Sequence, residues 1–133
     1  MTPLLALAIA AGAAVGAPLR FVVERRLASS WPWGTWLVNV AGSAVLGGLL
    51  GGLSGGEGPS SAATLVALVG TGFCGSLTTF GGFAAQVLDL AAAPREASPS
   101  GRSTRAVGYA LVSVLVCIGV AGLSYAVAVT FTG

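Results

Sequence analysis

The stretch Gly70-Thr71-Gly72-Phe73-Cys74-Gly75-Ser76-Leu77-Thr78-Thr79-Phe80-Gly81-Gly82-Phe83 lies inside an apolar run long enough to cross a lipid bilayer. No other feature constrains the fold as tightly. Glycines and threonines in succession weaken helical geometry, and a backbone group that leaves its helix inside a bilayer finds no water to bond. Irregular backbone at that depth survives only when it is buried in protein or lines a polar cavity. The stretch therefore predicts a helix broken mid-membrane and an ion site beside it; a simple kink packed on a neighbouring helix is the plainer reading.

Hydrophobic residues make up 55% of the 133 residues and charged residues 8%, whereas a soluble domain carries about 25% charged residues. The chain reads as an all-α integral membrane protein, with residues 1–133 forming a single transmembrane domain. Four stretches supply the ~20 apolar residues that a helical crossing needs, at roughly 3–21, 33–53, 62–90 and 106–131. Pro3 suits a first helical turn. The third stretch exceeds a straight crossing, as a broken helix would. Met-Thr-Pro lacks the basic start of a cleavable signal, so the first apolar segment is expected to be a span. Trp31, Trp33 and Trp36 mark an interface at the start of the second.

All positive side chains are arginines. Arg20, Arg25 and Arg26 fall between spans one and two, and Arg95, Arg102 and Arg105 between spans three and four. The loop Ser54–Ser61 and both tails carry none. The positive-inside rule then puts both arginine-bearing loops in the cytoplasm and both termini outside. A net charge of +2 is too small for a nucleic-acid surface. Cys74 and Cys117 form no CxxC or zinc spacing and read as small packing residues. Gly12–Gly16, Gly47–Gly51 and Gly48–Gly52 are GxxxG pairs, which bring helices together within one bundle, between subunits, or both. Four thin helices enclose little volume, so a transport path calls for a second subunit.

Several side chains carry candidate chemistry, each with a plainer alternative. Phe80 and Phe83 are three apart, on one face of a helix resuming after the break. Their positive ring edges suit a poorly hydrated anion, and core packing is the alternative. Asn39, the sole asparagine, lies inside span two, where its amide donates to an anion or bonds across helices. Tyr109, Ser113 and Cys117, spaced four apart, form a stripe of weak donors suited to an anion track, or bond back to their own helix. Arg20 draws anions to a vestibule or snorkels to headgroups; snorkelling is the reading for Arg25 and Arg26. Carbonyls exposed at a break suit a small hard cation.

Catalytic groupings are missing. The chain has no histidine, and Asp89 is the only acid placed near a span, so enzymatic chemistry and proton-coupled transport lack their groups. A small four-span drug exporter needs a carboxylate in its first span, and Pro3 to Phe21 has none. Gly70 to Gly75 spells G-x-G-x-x-G, but without the strand and helix of a dinucleotide fold.

Three elements resemble the small bacterial fluoride channels, the Fluc (CrcB) family. Gly16-Ala17-Pro18-Leu19-Arg20-Phe21 is similar to that family's G-A-x-x-R-[YF]. Gly34-Thr35-Trp36-Leu37-Val38-Asn39-Val40-Ala41-Gly42-Ser43 is similar to its G-T-x-x-[VA]-N-x-x-G-[SC], and Gly72-Phe73-Cys74-Gly75-Ser76-Leu77-Thr78-Thr79-Phe80 to its G-F-C-G-[GS]-[LF]-T-T-F. The resemblance implies a passive channel of the bacterial inner membrane that exports fluoride and confers fluoride resistance. It implies two pores per antiparallel dimer, around a central structural sodium ion. The fluoride path would then take Asn39, Phe80, Phe83, Tyr109, Ser113, Cys117 and the vestibule arginine Arg20. Sodium would be held by the backbone carbonyls of Gly75 and Thr78, one pair from each subunit.

The chain departs from that pattern twice. Gly81-Gly82 stands where the family usually has Ser-Thr, which removes two hydroxyls beside the rings. An antiparallel homodimer needs dual topology and balanced charge, whereas all six arginines here fall on one side. The expected partner is thus a second copy or, better matched, a related subunit of opposite orientation. A non-conducting subunit of such a heterodimeric channel is the alternative.

Overall fold

The computed structural model describes residues 2–56, 59–92 and 99–132. Helix α1 spans Pro3–Arg26, and α2 spans Trp33–Gly52 and ends in the 3₁₀ turn Leu53–Gly55. The next stretch is built in pieces: α3 (Pro59–Leu65), a π-helical segment (Val66–Cys74), the single turn α4 (Gly75–Leu77) and α5 (Phe80–Ala92). Helix α6 spans Pro99–Thr132. Four helical stretches, Pro3–Arg26, Trp33–Gly55, Ser60–Ala92 and Gly101–Thr132, are long and apolar enough to cross a membrane. The chain is a multi-pass, all-helical membrane protein.

The expected spans sit inside these helices, but two helices run further at their arginine ends. α1 continues through Glu24 to Arg26, and α6 begins at Pro99, so Arg102 and Arg105 are helical rather than in a loop. Apolar run length measures the membrane-embedded part, whereas arginine and glutamate extend a helix readily into water. At 1.5 Å per residue, the 34 residues of α6 reach about 51 Å, well beyond the ~30 Å hydrocarbon core. The expected Ser54–Ser61 loop is likewise shortened from both sides. Glu57, Arg95 and Glu96 lie outside the described residues.

Helices pack in two close pairs, α1 on the π-helical segment and α2 on α6. Glycine makes both approaches possible. A Cβ on Gly12 would collide with the Leu68 carbonyl, and one on Gly16 with the Ser76 hydroxyl and the Phe73 carbonyl. On the other pair, Gly47 abuts the backbone of Ala121 and Gly51 that of Tyr125. Two of the three GxxxG pairs thus work within the bundle. Gly48 and Gly52 meet nothing within 4 Å.

Trp31, between α1 and α2, packs edge-on against Tyr109 of α6 with centroids 5.7 Å apart. This contact puts the arginine-bearing end of α1 beside that of α6. At the opposite end, Gly55 abuts the backbone of Thr132. Among the described residues few large side chains are buried: Val38, Leu77 and Tyr109 are, with Ala67, Cys74 and Ala106 around them. Leu7, Leu88, Leu115 and Leu123 stand outward, as lipid-facing residues do.

Candidate functional site

The site is organised around Thr78 and Thr79, where the third stretch stops being helical. Thr78 takes φ −78° and ψ 155°, an extended conformation. Its N–H and its hydroxyl both donate to the Cys74 carbonyl at 2.9 Å, closing α4. Thr79 then caps α5, accepting the Gly82 N–H on Oγ1 at 3.0 Å. The extended residue between these two caps re-aims the chain.

Side chains from two other helices hold the break. Asn39 of α2 pairs with both polar groups of Thr79: Oδ1 accepts the N–H at 2.8 Å and Nδ2 donates to the carbonyl at 3.3 Å. Arg20 of α1 donates from Nη1 to the Ser76 carbonyl at 3.0 Å and, at longer range, to the Thr78 carbonyl at 3.4 Å. The guanidinium is therefore turned inward onto the open end of α4, where carbonyls carry negative dipole charge. Arg25, by contrast, lies over the Phe21 ring at 5.0 Å on an exposed face.

A cavity of about 380 Å³ opens against the break. Asn39, Phe80, Phe83, Ser113 and Cys117 line it, as do Gly75 and Thr78. Tyr109 belongs to an adjoining cleft of about 690 Å³, walled by Trp31, Trp33, Trp36 and Arg105, which shares Ser113 with the first. Rings connect the two spaces: Phe80 to Phe83 at 6.0 Å, Phe83 to Tyr109 at 5.7 Å, and Tyr109 to Trp31 at 5.7 Å. Phe80 is 82% exposed, which removes core packing as its role within this chain. Among the described residues, the buried Tyr109 hydroxyl and Ser113 Oγ have no hydrogen-bond partner beyond each other, one turn apart on α6. Back-bonding to the carbonyls of α6 therefore does not account for them. Cys74 and Cys117 are free thiols.

Two features escaped the sequence reading. Glu24, on the last turn of α1, accepts a hydrogen bond from the buried Thr35 hydroxyl at 3.2 Å, and Gly34 packs against its backbone. The first apolar run ends at Phe21, short of this carboxylate, and Gly34-Thr35 is the available signal for it. The second is the π-helical winding of Val66–Cys74. Wide π turns are uncommon and concentrate near functional sites. Here they let the Gly75 N–H reach the carbonyls of Gly70 and Gly72.

Fold and site together define a small helical membrane protein with a narrow groove of aromatic rings and weak donors beside an interrupted helix. Residues 7–125 match the family described as CrcB-like protein, Camphor Resistance (CrcB), and the chain belongs to that family. It is 38% identical over 128 residues to the fluoride-specific ion channel FluC 1 of Frankia casuarinae, covering 92% of this chain and 94% of that one. It is 40% identical to FluC 1 of Streptomyces avermitilis, covering 86% and 88%. A FluC of Hyphomonas neptunium, also named as a fluoride-specific ion channel, is 41% identical, covering 88% and 87%. The family is one of ion channels, not enzymes.

Proposed function

We propose that this chain is a subunit of a passive fluoride-selective channel that releases fluoride from the cytoplasm. One observation carries the reading: the buried hydroxyls of Tyr109 and Ser113, with no partner beyond each other among the described residues, lie beside the ring series Phe80–Phe83–Tyr109. Fluoride is small and tightly hydrated, so a selective path must replace water with closely set donors. The two hydroxyls and the aromatic edges are such donors, and an anion is a partner those hydroxyls otherwise lack. The surroundings are apolar, which strengthens each contact. Conduction needs these contacts to be several and individually weak, so that the ion can leave each one.

The channel on this reading is an antiparallel dimer in the bacterial inner membrane, with the arginine-bearing ends of this chain in the cytoplasm. Phe80, exposed in one chain, would be covered by the other. Gly75 and Thr78 line the cavity, and each carries a backbone carbonyl. Such carbonyls are hard oxygen donors of the kind sodium takes, and a second subunit would bring another pair. When bound there, sodium would supply a fixed positive potential that favours an anion nearby. The arginine bias favours a related, oppositely oriented subunit as the partner, and a second copy is the simpler assembly.

A non-conducting role within such a heterodimer is the second reading, favoured by Gly81-Gly82 in place of two hydroxyls. Reconstitution of this chain alone in liposomes tests both, with a fluoride electrode following efflux and chloride as control. Selective fluoride efflux would establish a self-sufficient channel. If the chain alone is silent and an oppositely biased partner restores flux, Phe80→Ile and Phe83→Ile in this chain separate the two readings: loss of flux means a pore-former, retention a scaffold.

A further inference from the structure

The break is shaped by where one proton goes. In an uninterrupted helix, the Thr79 N–H would close a further turn onto the carbonyl of Gly75. Here it goes instead to Asn39 Oδ1 at 2.8 Å. The neighbouring carbonyls have donors: Cys74 O takes the Thr78 N–H and hydroxyl, Ser76 O takes Arg20, and Thr79 O takes Asn39 Nδ2 and the Phe83 N–H. Among the described residues, Thr78 O has only the long Arg20 contact at 3.4 Å, which leaves a lone pair. Gly75 has thus been separated from its helical donor, and it lies on the cavity wall together with Thr78.

From this geometry we infer that Asn39 is a positioning residue for a cation. By diverting the Thr79 N–H it keeps the Gly75 carbonyl open, and so assembles the Gly75–Thr78 pair of oxygen ligands. This rests on the reading of those carbonyls as sodium ligands given above. It assigns Asn39 a task distinct from contacting the permeating anion. The amide suits the task because it satisfies both halves of the Thr79 peptide at once, so the diversion leaves no group of that peptide unpaired. A residue without an acceptor at position 39 frees the N–H to return to Gly75 O, and the ligand pair is lost.

The test measures sodium binding apart from conduction. The full chain, purified in detergent, is unfolded thermally in sodium chloride and in choline chloride of equal concentration. The wild-type chain is expected to be stabilised by sodium. Asn39→Ala should raise the sodium midpoint by at least about tenfold, as loss of a supporting residue does at metal sites. Asn39→Asp keeps an acceptor for the N–H and should keep the sodium dependence, while its charge stops fluoride efflux in liposomes. Thr79→Pro in the Asn39→Ala background deletes the N–H itself, and sodium dependence should return.

Each failure reads differently. Wild-type protein indifferent to sodium overturns the sodium reading and this inference together. A wild-type sodium effect undiminished in Asn39→Ala overturns this inference alone. So does failure of the proline variant to restore the effect when Thr79→Pro by itself retains it. Should Asn39→Ala not fold, loss of sodium dependence in Asn39→Asp overturns the inference and its retention supports it.

Discussion

Arg20 on α1 donates to the Ser76 carbonyl at 3.0 Å, across 56 residues of sequence. The contact ties the first helix to the end of α4 and satisfies a carbonyl that the break would otherwise leave bare. A charge-assisted bond of this kind contributes about 2 kcal/mol. Arg20→Gln should therefore lower stability by about that much, seen as a reduced unfolding temperature in detergent. Arg25→Gln, on an exposed face, should shift it by less than about 0.5 kcal/mol. Equal effects from the two would mean that the Arg20 contact does not hold the break.

Gly12 and Gly16 should tolerate no larger side chain, because α1 meets the π-helical segment backbone to backbone there. Overpacking of this kind typically costs about 1–3 kcal/mol, so Gly12→Val and Gly16→Val should unfold early. Gly48→Ala and Gly52→Ala meet open space and should fold normally. If that outward face meets a second subunit, size-exclusion chromatography of these two variants will report a weakened dimer with an intact fold. An early-unfolding Gly48→Ala would contradict this packing.

Much of this arrangement could be read from the sequence, and the misses have physical causes. Four apolar runs gave the helices, since burying backbone in lipid leaves little choice. Gly75 to Phe83 marked the break, because successive glycines and threonines hold a helix poorly. How the break is held was not legible. That Asn39 pairs with Thr79 and Arg20 with Ser76 depends on how α1 and α2 pack against the third stretch, and each residue alone fits several roles. Glu24 lies beyond the boundary that hydropathy marks at Phe21, although the helix continues through it to Arg26. The π-helical winding has no signature of its own in Val66–Cys74, although Gly12 and Gly72 approach closely along it.

Phe80→Ile and Phe83→Ile should each abolish most fluoride efflux from liposomes while the protein still folds, since both rings border the cavity and neither is buried. Phe131→Ile, at the far end of α6 and 85% exposed, is the control and should conduct normally. Normal flux in both pore variants would remove the aromatic rings from the ion path.

Gly81-Gly82 responds differently at its two positions. A Cβ on Gly81 meets nothing within 4 Å, so Gly81→Ser should leave stability unchanged while restoring a hydroxyl next to Phe80. A Cβ on Gly82 would stand 2.7 Å from the Thr79 methyl. Rotating that methyl away takes Oγ1 off the Gly82 N–H, and losing such a cap costs about 1 kcal/mol. Gly82→Ala should therefore lower the unfolding temperature where Gly81→Ser does not. Matching stabilities would show that the Thr79 cap adapts.

Tyr109 and Ser113 offer the sharpest separation of folding from conduction. Their hydroxyls are buried with no partner beyond each other among the described residues, and an unmet buried polar group of this type is destabilising by about 1–3 kcal/mol. Tyr109→Phe and Ser113→Ala remove the group with little change of shape. If the hydroxyls were structural, the variants would lose stability. If their partner is the passing anion, thermal stability in fluoride-free buffer should hold or rise while fluoride efflux falls. We expect the second pattern in both variants, with the ring contact of Tyr109 to Phe83 preserved in Tyr109→Phe. A joint fall in stability and flux would return these residues to the core, and unaltered flux in both would move the ion path elsewhere in the groove.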